Sequence, residues 1–124
     1  YILLLDPPEQ ISVKIKQAIT DSENKVYYDE QKKPAVSNLI KIYALLADQT
    51  TQQVVAKFKT SNYQQFKTHL TDIMVEQLSA IQRRYHHYQN NPHQIWQMLS
   101  QQQSHLITIT NQKLKRVKKL MGLM

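Results

Sequence analysis

Apolar residues in this chain recur by threes and fours rather than by twos, in five stretches separated by polar connections. Ile11, Ile15, Ala18 and Ile19 form the first stripe, behind Asp6-Pro7-Pro8-Glu9, which has the spacing of a capping box with proline at the first helical positions. They predict a helix from about 7 to 20. Val36, Leu39, Ile40, Tyr43, Leu46 and Ala47 predict a second over about 35 to 47, opened by Pro34, whose missing N–H would lack an intrahelical partner there anyway. Between the two, Thr20 to Lys33 has no period and is dense in polar side chains, so it reads as a long connection; loops of this length are uncommon unless they have a task. Thr50-Thr51-Gln52-Gln53 offers a cap for a short third helix bearing Val54, Val55 and Phe58. Ser61-Asn62-Tyr63-Gln64 caps a fourth, in which Phe66, Leu70, Ile73, Met74, Leu78, Ile81, Tyr85 and Tyr88 run on to Asn90, a length of roughly 40 Å. Asn91-Pro92-His93-Gln94 opens a fifth, whose stripe of Ile95, Leu99, Leu106, Val117 and Met121 ends at Gly122. Leu106 to Thr110 alternates like a strand and is rich in β-branched residues, but no second strand lies near enough to pair with it, and it is assigned to the helix.

The pattern therefore predicts an all-α protein, an irregular bundle of about five helices behind a short extended segment at residues 1–6. The two long helices are expected to form an antiparallel hairpin through a turn at Asn90-Asn91. Composition agrees with this. There is one glycine, and the four prolines fall at positions 7, 8, 34 and 92, so long stretches contain no residue that stops a helix. A length of 124 residues suits a single core. Without cysteine there is no disulfide framework and no thiolate metal site, and a reducing, cytoplasmic setting is the default expectation. Ile2 to Leu5 is too short an apolar run to cross a bilayer, and no other run approaches about 18 residues, so no membrane role is expected.

Charge is unevenly spread. Residues 1–56 carry six lysines against seven carboxylates, whereas residues 57–124 carry ten Lys or Arg against only Asp72 and Glu76, a balance of −1 against +8. A basic surface on one portion of a small domain is the footprint of a phosphate-bearing partner. One terminal glycine leaves no room for a glycine-rich phosphate loop. His86-His87 is a poor metal pair, because adjacent helical residues point about 100° apart. Asp21, Glu23, Asp29 and Glu30 share one polar loop with no nucleophile beside them, so no catalytic residue is assigned. Arg83-Arg84-Tyr85-His86-His87-Tyr88 is more informative, since it interleaves cations with flat rings, the mixture that phosphate contact and base stacking require. Lys113, Lys115, Arg116, Lys118 and Lys119 form a second basic cluster. A plainer reading puts Tyr85 and Tyr88 in the core as members of the apolar stripe.

Taken together, ITDSE at 19–23, YYDEQKKPAVSNLIKIYALLADQT at 27–50, IQRRYHHYQNNP at 81–92 and a closing MGL resemble the carboxy-terminal helical part of the bacterial tryptophanyl-tRNA synthetases, a class I family. YILLLD at 1–6 is similar to the segment that leaves the catalytic domain in that family. The resemblance implies a parent that uses ATP with magnesium to activate tryptophan and transfers it to tryptophan tRNA. Residues 7–124 would be its helical anticodon-binding domain, inactive alone, with no catalytic, cofactor or metal residues of its own. The implied partners are the tRNA, the catalytic nucleotide-binding domain of the same polypeptide and a second parent subunit in a homodimer. Arg83, Arg84, Lys113, Lys115, Arg116 and Lys119 are then the expected phosphate contacts, with His87 and Tyr88 as base neighbours. Thr20, Asp21, Lys33 and Pro34 are the expected hinge ends of the 20–33 connection. The rival reading is a free-standing helical module that binds partner proteins.

Overall fold

The computed structural model describes residues 1–123. Its elements are α1 (Pro8–Gln17), α2 (Pro34–Leu46), α3 (Thr51–Lys57), α4 (Tyr63–Asn90) and α5 (Pro92–Leu120), with no strand among the described residues. The all-α expectation holds, including the β-branched run: Thr108 sits inside α5 and turns its hydroxyl onto the Ser104 carbonyl at 3.1 Å. Two compact units divide the chain, Tyr1–Arg83 and Arg84–Met124.

The first unit holds the core. Ile11 and Ile15 of α1, the face Val36, Leu39, Ile40, Tyr43 and Ala44 of α2, Val54 of α3, and Phe66, Leu70, Met74 and Leu78 of α4 bury their side chains in one cluster. Three rings lie at its centre, with Tyr43 edge-on to Phe58 at 5.1 Å and Phe58 edge-on to Phe66 at the same distance. Edge-to-face pairs add about 0.5–1.5 kcal/mol each to simple burial.

The helix ends differ in detail from the sequence expectation. α3 has its capping box: the Thr50 hydroxyl accepts the Gln53 N–H, and Gln53 Oε1 accepts the Thr50 N–H at 2.8 Å. The box of α4 pairs Asn62 with Gln65, one residue beyond the expected Ser61 to Gln64 spacing. At α1 no side chain caps, because Asp6 turns the other way and accepts Leu3 N–H at 2.8 Å and the Lys14 ammonium. Leu3 to Asp6 is consequently a turn rather than an extended segment, and Gln82 Nε2 donates to the Leu4 and Asp6 carbonyls at 2.9 and 3.0 Å.

In the second unit α5 buries no side chain, and Ile95, Leu99, Leu106, Val117 and Met121 are exposed along its whole length. The stripe expected to be covered in an antiparallel hairpin is uncovered.

Candidate nucleic-acid interface

Arg83, Arg84, His87 and Tyr88 all lie exposed on the last turns of α4. Arg84, His87 and Tyr88 stand three and four residues apart and so share one helix face. Tyr88 is 39% exposed, so the core reading of this ring does not hold. The His87 and Tyr88 rings meet edge to face at 5.3 Å. A His87 ring nitrogen pairs with Gln94 Oε1 at 3.0 Å, and Asn91 Nδ2 donates to the His87 carbonyl at 2.8 Å. The turn between α4 and α5 is thus fastened to the residue read as a base neighbour. Sequence reasoning used Asn91 and Gln94 only as cap residues, and nothing in the pattern pointed to their hold on His87.

Lys113, Lys115, Arg116 and Lys119 are exposed in the last turns of α5, where cations also favour the negative end of the helix dipole. Gly122, at φ 70°, closes the helix as expected, with Leu123 N–H on the Lys118 carbonyl at 2.9 Å. Lys113 lies 21 residues along α5 from Pro92, about 32 Å at 1.5 Å per residue. The lysine cluster and the arginine–tyrosine group are therefore two sites and not one. Arg84–Met124 carries six Lys or Arg and no Asp or Glu, so nothing in the unit offsets its field.

The 20–33 connection is organised by a buried lysine. Lys33, 4% exposed, donates to Tyr63 Oη at 2.8 Å, Asp21 Oδ1 at 3.1 Å and the Lys25 carbonyl at 3.1 Å, and lies 2.8 Å from Glu23 Oε2. The Tyr63 hydroxyl donates to the second Asp21 oxygen at 2.7 Å, and Asn24, at φ 55°, accepts the Tyr63 N–H at 2.9 Å. Burial alone would pull the Lys33 ammonium down, but Glu23, Tyr63 and Asp21 together hold it above the ordinary lysine value. Further along, Ser37 Oγ accepts the Asp29 N–H, and Asp29 Oδ1 accepts those of Gln31 and Lys32, which fixes the approach to α2. Of the expected hinge residues, Asp21 and Lys33 are bonded into this node, and Pro34 is the first residue of α2.

A second buried lysine, Lys67, donates to the Lys16 and Ala18 carbonyls at 3.2 and 2.6 Å and so caps the end of α1. Its signal in the sequence is a cation on the apolar face of α4, between Phe66 and Leu70.

The profile of the family described as tRNA synthetases class I (W and Y) matches residues 1–79. The chain is 37% identical over 123 residues to the tryptophan–tRNA ligase of Bacillus subtilis, which covers 99% of this chain and 37% of that protein. It is 39% identical over 122 residues to the enzyme of the same name from Malacoplasma penetrans, covering 98% of this chain and 36% of the relative. Among solved structures, the tryptophanyl-tRNA synthetase of Mycoplasma pneumoniae matches 66% of this chain and 27% of its own with a TM-score of 0.60 at 36% identity. The chain spans a little over a third of the length of the curated relatives it matches.

Proposed function

The chain belongs to the class I tRNA synthetases of the tryptophan and tyrosine type, and from that premise we propose that it is the helical, anticodon-side part of a ligase that joins tryptophan to its tRNA with ATP. The observation that carries the reading is the second unit: six cations without Asp or Glu, one of them, Arg84, on the same helix face as His87 and Tyr88 at the turn between α4 and α5. Cations supply affinity and orientation through phosphates, which carry no sequence information, while rings and hydrogen-bonding edges read splayed bases. Arg83, Arg84, Lys113, Lys115, Arg116 and Lys119 take the first role in this reading, and His87 and Tyr88 the second. Because Lys113 lies about 32 Å along α5 from Pro92, the lysine cluster and the turn between α4 and α5 would touch separate stretches of the RNA backbone.

Residues 1–6 and 7–124 would be the exit from the catalytic domain and the helical domain, in a cytoplasmic, homodimeric parent. Among the described residues no three His, Asp or Glu converge on a metal position. No helix among them is long and apolar enough to cross a membrane. A hinge at Thr20, Asp21, Lys33 and Pro34 would work by opening the Lys33 node.

Filter binding of tryptophan tRNA across a salt series tests the proposal. About three to five phosphate contacts give a log–log slope of roughly −2 to −4. Replacing Arg83 and Arg84 with Ala should weaken all tRNAs alike, whereas replacing His87 or Tyr88 should narrow the gap between the right anticodon and a wrong one. A flat salt response would instead favour the protein-interaction reading, which draws on the uncovered apolar stripe of α5.

A further inference from the structure

We propose that the pocket between the end of α1 and the first turns of α4 binds one tetrahedral oxyanion, a phosphate carried either by an RNA backbone or by a small molecule. The pocket measures about 480 Å³ and is lined by Lys16, Tyr63, Gln64, Lys67 and Thr68. The first unit buries two lysines, and they are treated differently. Lys33 lies within ion-pairing distance of Asp21 and Glu23, whereas Lys67, 9% exposed, has no carboxylate at that distance among the described residues. Two of its three ammonium protons are taken up by the Lys16 and Ala18 carbonyls, leaving one N–H and an unmatched positive charge on the pocket wall. A cation withdrawn from water without a counter-ion is costly, and burial duly pulls the Lys67 ammonium below the ordinary lysine value.

The rest of the wall has the same sign. Lys16 is exposed and lines the pocket as a second lysine, and Gln64 lines it with an amide able to donate. Asp21, bonded to Tyr63 of this wall, is also held by Lys33. A ligand that completes the site must be anionic and must present several acceptor oxygens on one centre, which is the chemistry of a phosphate group. The site is built from residues of Tyr1–Arg83 and draws on none of the cations assigned to anticodon recognition.

The test is titration of the isotopically labelled full chain with inorganic phosphate at fixed ionic strength, followed by NMR. Saturable shifts confined to Lys16, Gln64, Lys67 and Thr68 are expected, and Lys16→Gln should weaken phosphate at least about threefold while leaving the melting temperature unchanged. Lys67 is left in place, because its removal would also uncap α1. The same Lys16→Gln variant separates the two sources. A loss of about one from the salt slope of tRNA binding assigns the site to a backbone phosphate. An unchanged slope with phosphate binding intact in the wild type assigns it to a small-molecule oxyanion. Shifts that never saturate, or that spread equally over the lysines of α5, would overturn the proposal.

Discussion

Replacing Lys33 by Met would leave Asp21 and Glu23 side by side without the cation that joins them, and would strip Tyr63 of its cationic donor. Hydrogen bonds to charged groups contribute more than neutral ones, so a loss of about 2 kcal/mol is expected, measured by urea unfolding. The same node predicts a pH response. Asp21 is held below its ordinary 3.8, chiefly by the Tyr63 hydroxyl, and Glu23 below its ordinary 4.5, chiefly by Lys33. A carboxylate with a depressed folded-state pKa contributes stability that is present above its unfolded value and lost as pH falls through the folded one. The melting temperature should therefore hold down to about pH 4.5 and fall below that, and Asp21→Asn should flatten the fall. Lys33 moves the opposite way and stays charged throughout. Tyr88 makes the contrasting case: at 39% exposure its truncation should cost less than about 1 kcal/mol, and a larger drop in melting temperature would return it to the core. Burial of this kind was not legible in the sequence, because Tyr88 keeps the same spacing as Leu70 and Leu78, and only the fold shows where the covered part of the stripe ends.

Apolar spacing, with proline at the first turn of α1, α2 and α5, made all five helices readable, since both signals are local to the element they start or fill. Caps were less readable, because an Asp, Asn or Ser near a helix start has several acceptors and donors within reach: Asp6 turned to Leu3 and Lys14, and Asn91 to the His87 carbonyl. One such end offers a gain. Asp48 follows α2 at φ 51°, with the Gln49 N–H on the Ala44 carbonyl at 2.9 Å, a left-handed position that favours glycine. Asp48→Gly should raise stability by up to about 1 kcal/mol, and a loss would mean that the aspartate makes a compensating contact. The 20–33 connection was read as a loop for want of periodicity, and its long-range bonds to Tyr63 had no local signature. Amide exchange at residues 24–33 should be slow in the wild type and fast in Lys33→Met. Uniformly fast exchange in the wild type would show that the node does not hold the segment.

Across the whole molecule, the cation excess is concentrated in the second unit: Tyr1–Arg83 holds the apolar core and ten Lys or Arg against nine carboxylates, and Arg84–Met124 has six cations, exposed aliphatic side chains and no Asp or Glu. The class of fold and the family were legible because they rest on pattern and motif. The extent of the core was not, since a continuous stripe on α5 gave no hint that its side chains would remain uncovered. Taken alone, the chain should show no tryptophan-dependent exchange of pyrophosphate into ATP, and measurable exchange by a clean preparation would overturn its assignment to the RNA side of the reaction. Gln82, finally, carries a consequence for the order of events during synthesis. Its amide holds the Leu4 and Asp6 carbonyls, partners separated from it by 78 and 76 positions. At roughly 5–20 residues per second the ribosome needs at least about four seconds to deliver Gln82 after Asp6 has been made. For that interval the first turn, with its three leucines, has no anchor on α4, and a nascent chain stalled before Gln82 would present them to any chaperone that binds apolar segments.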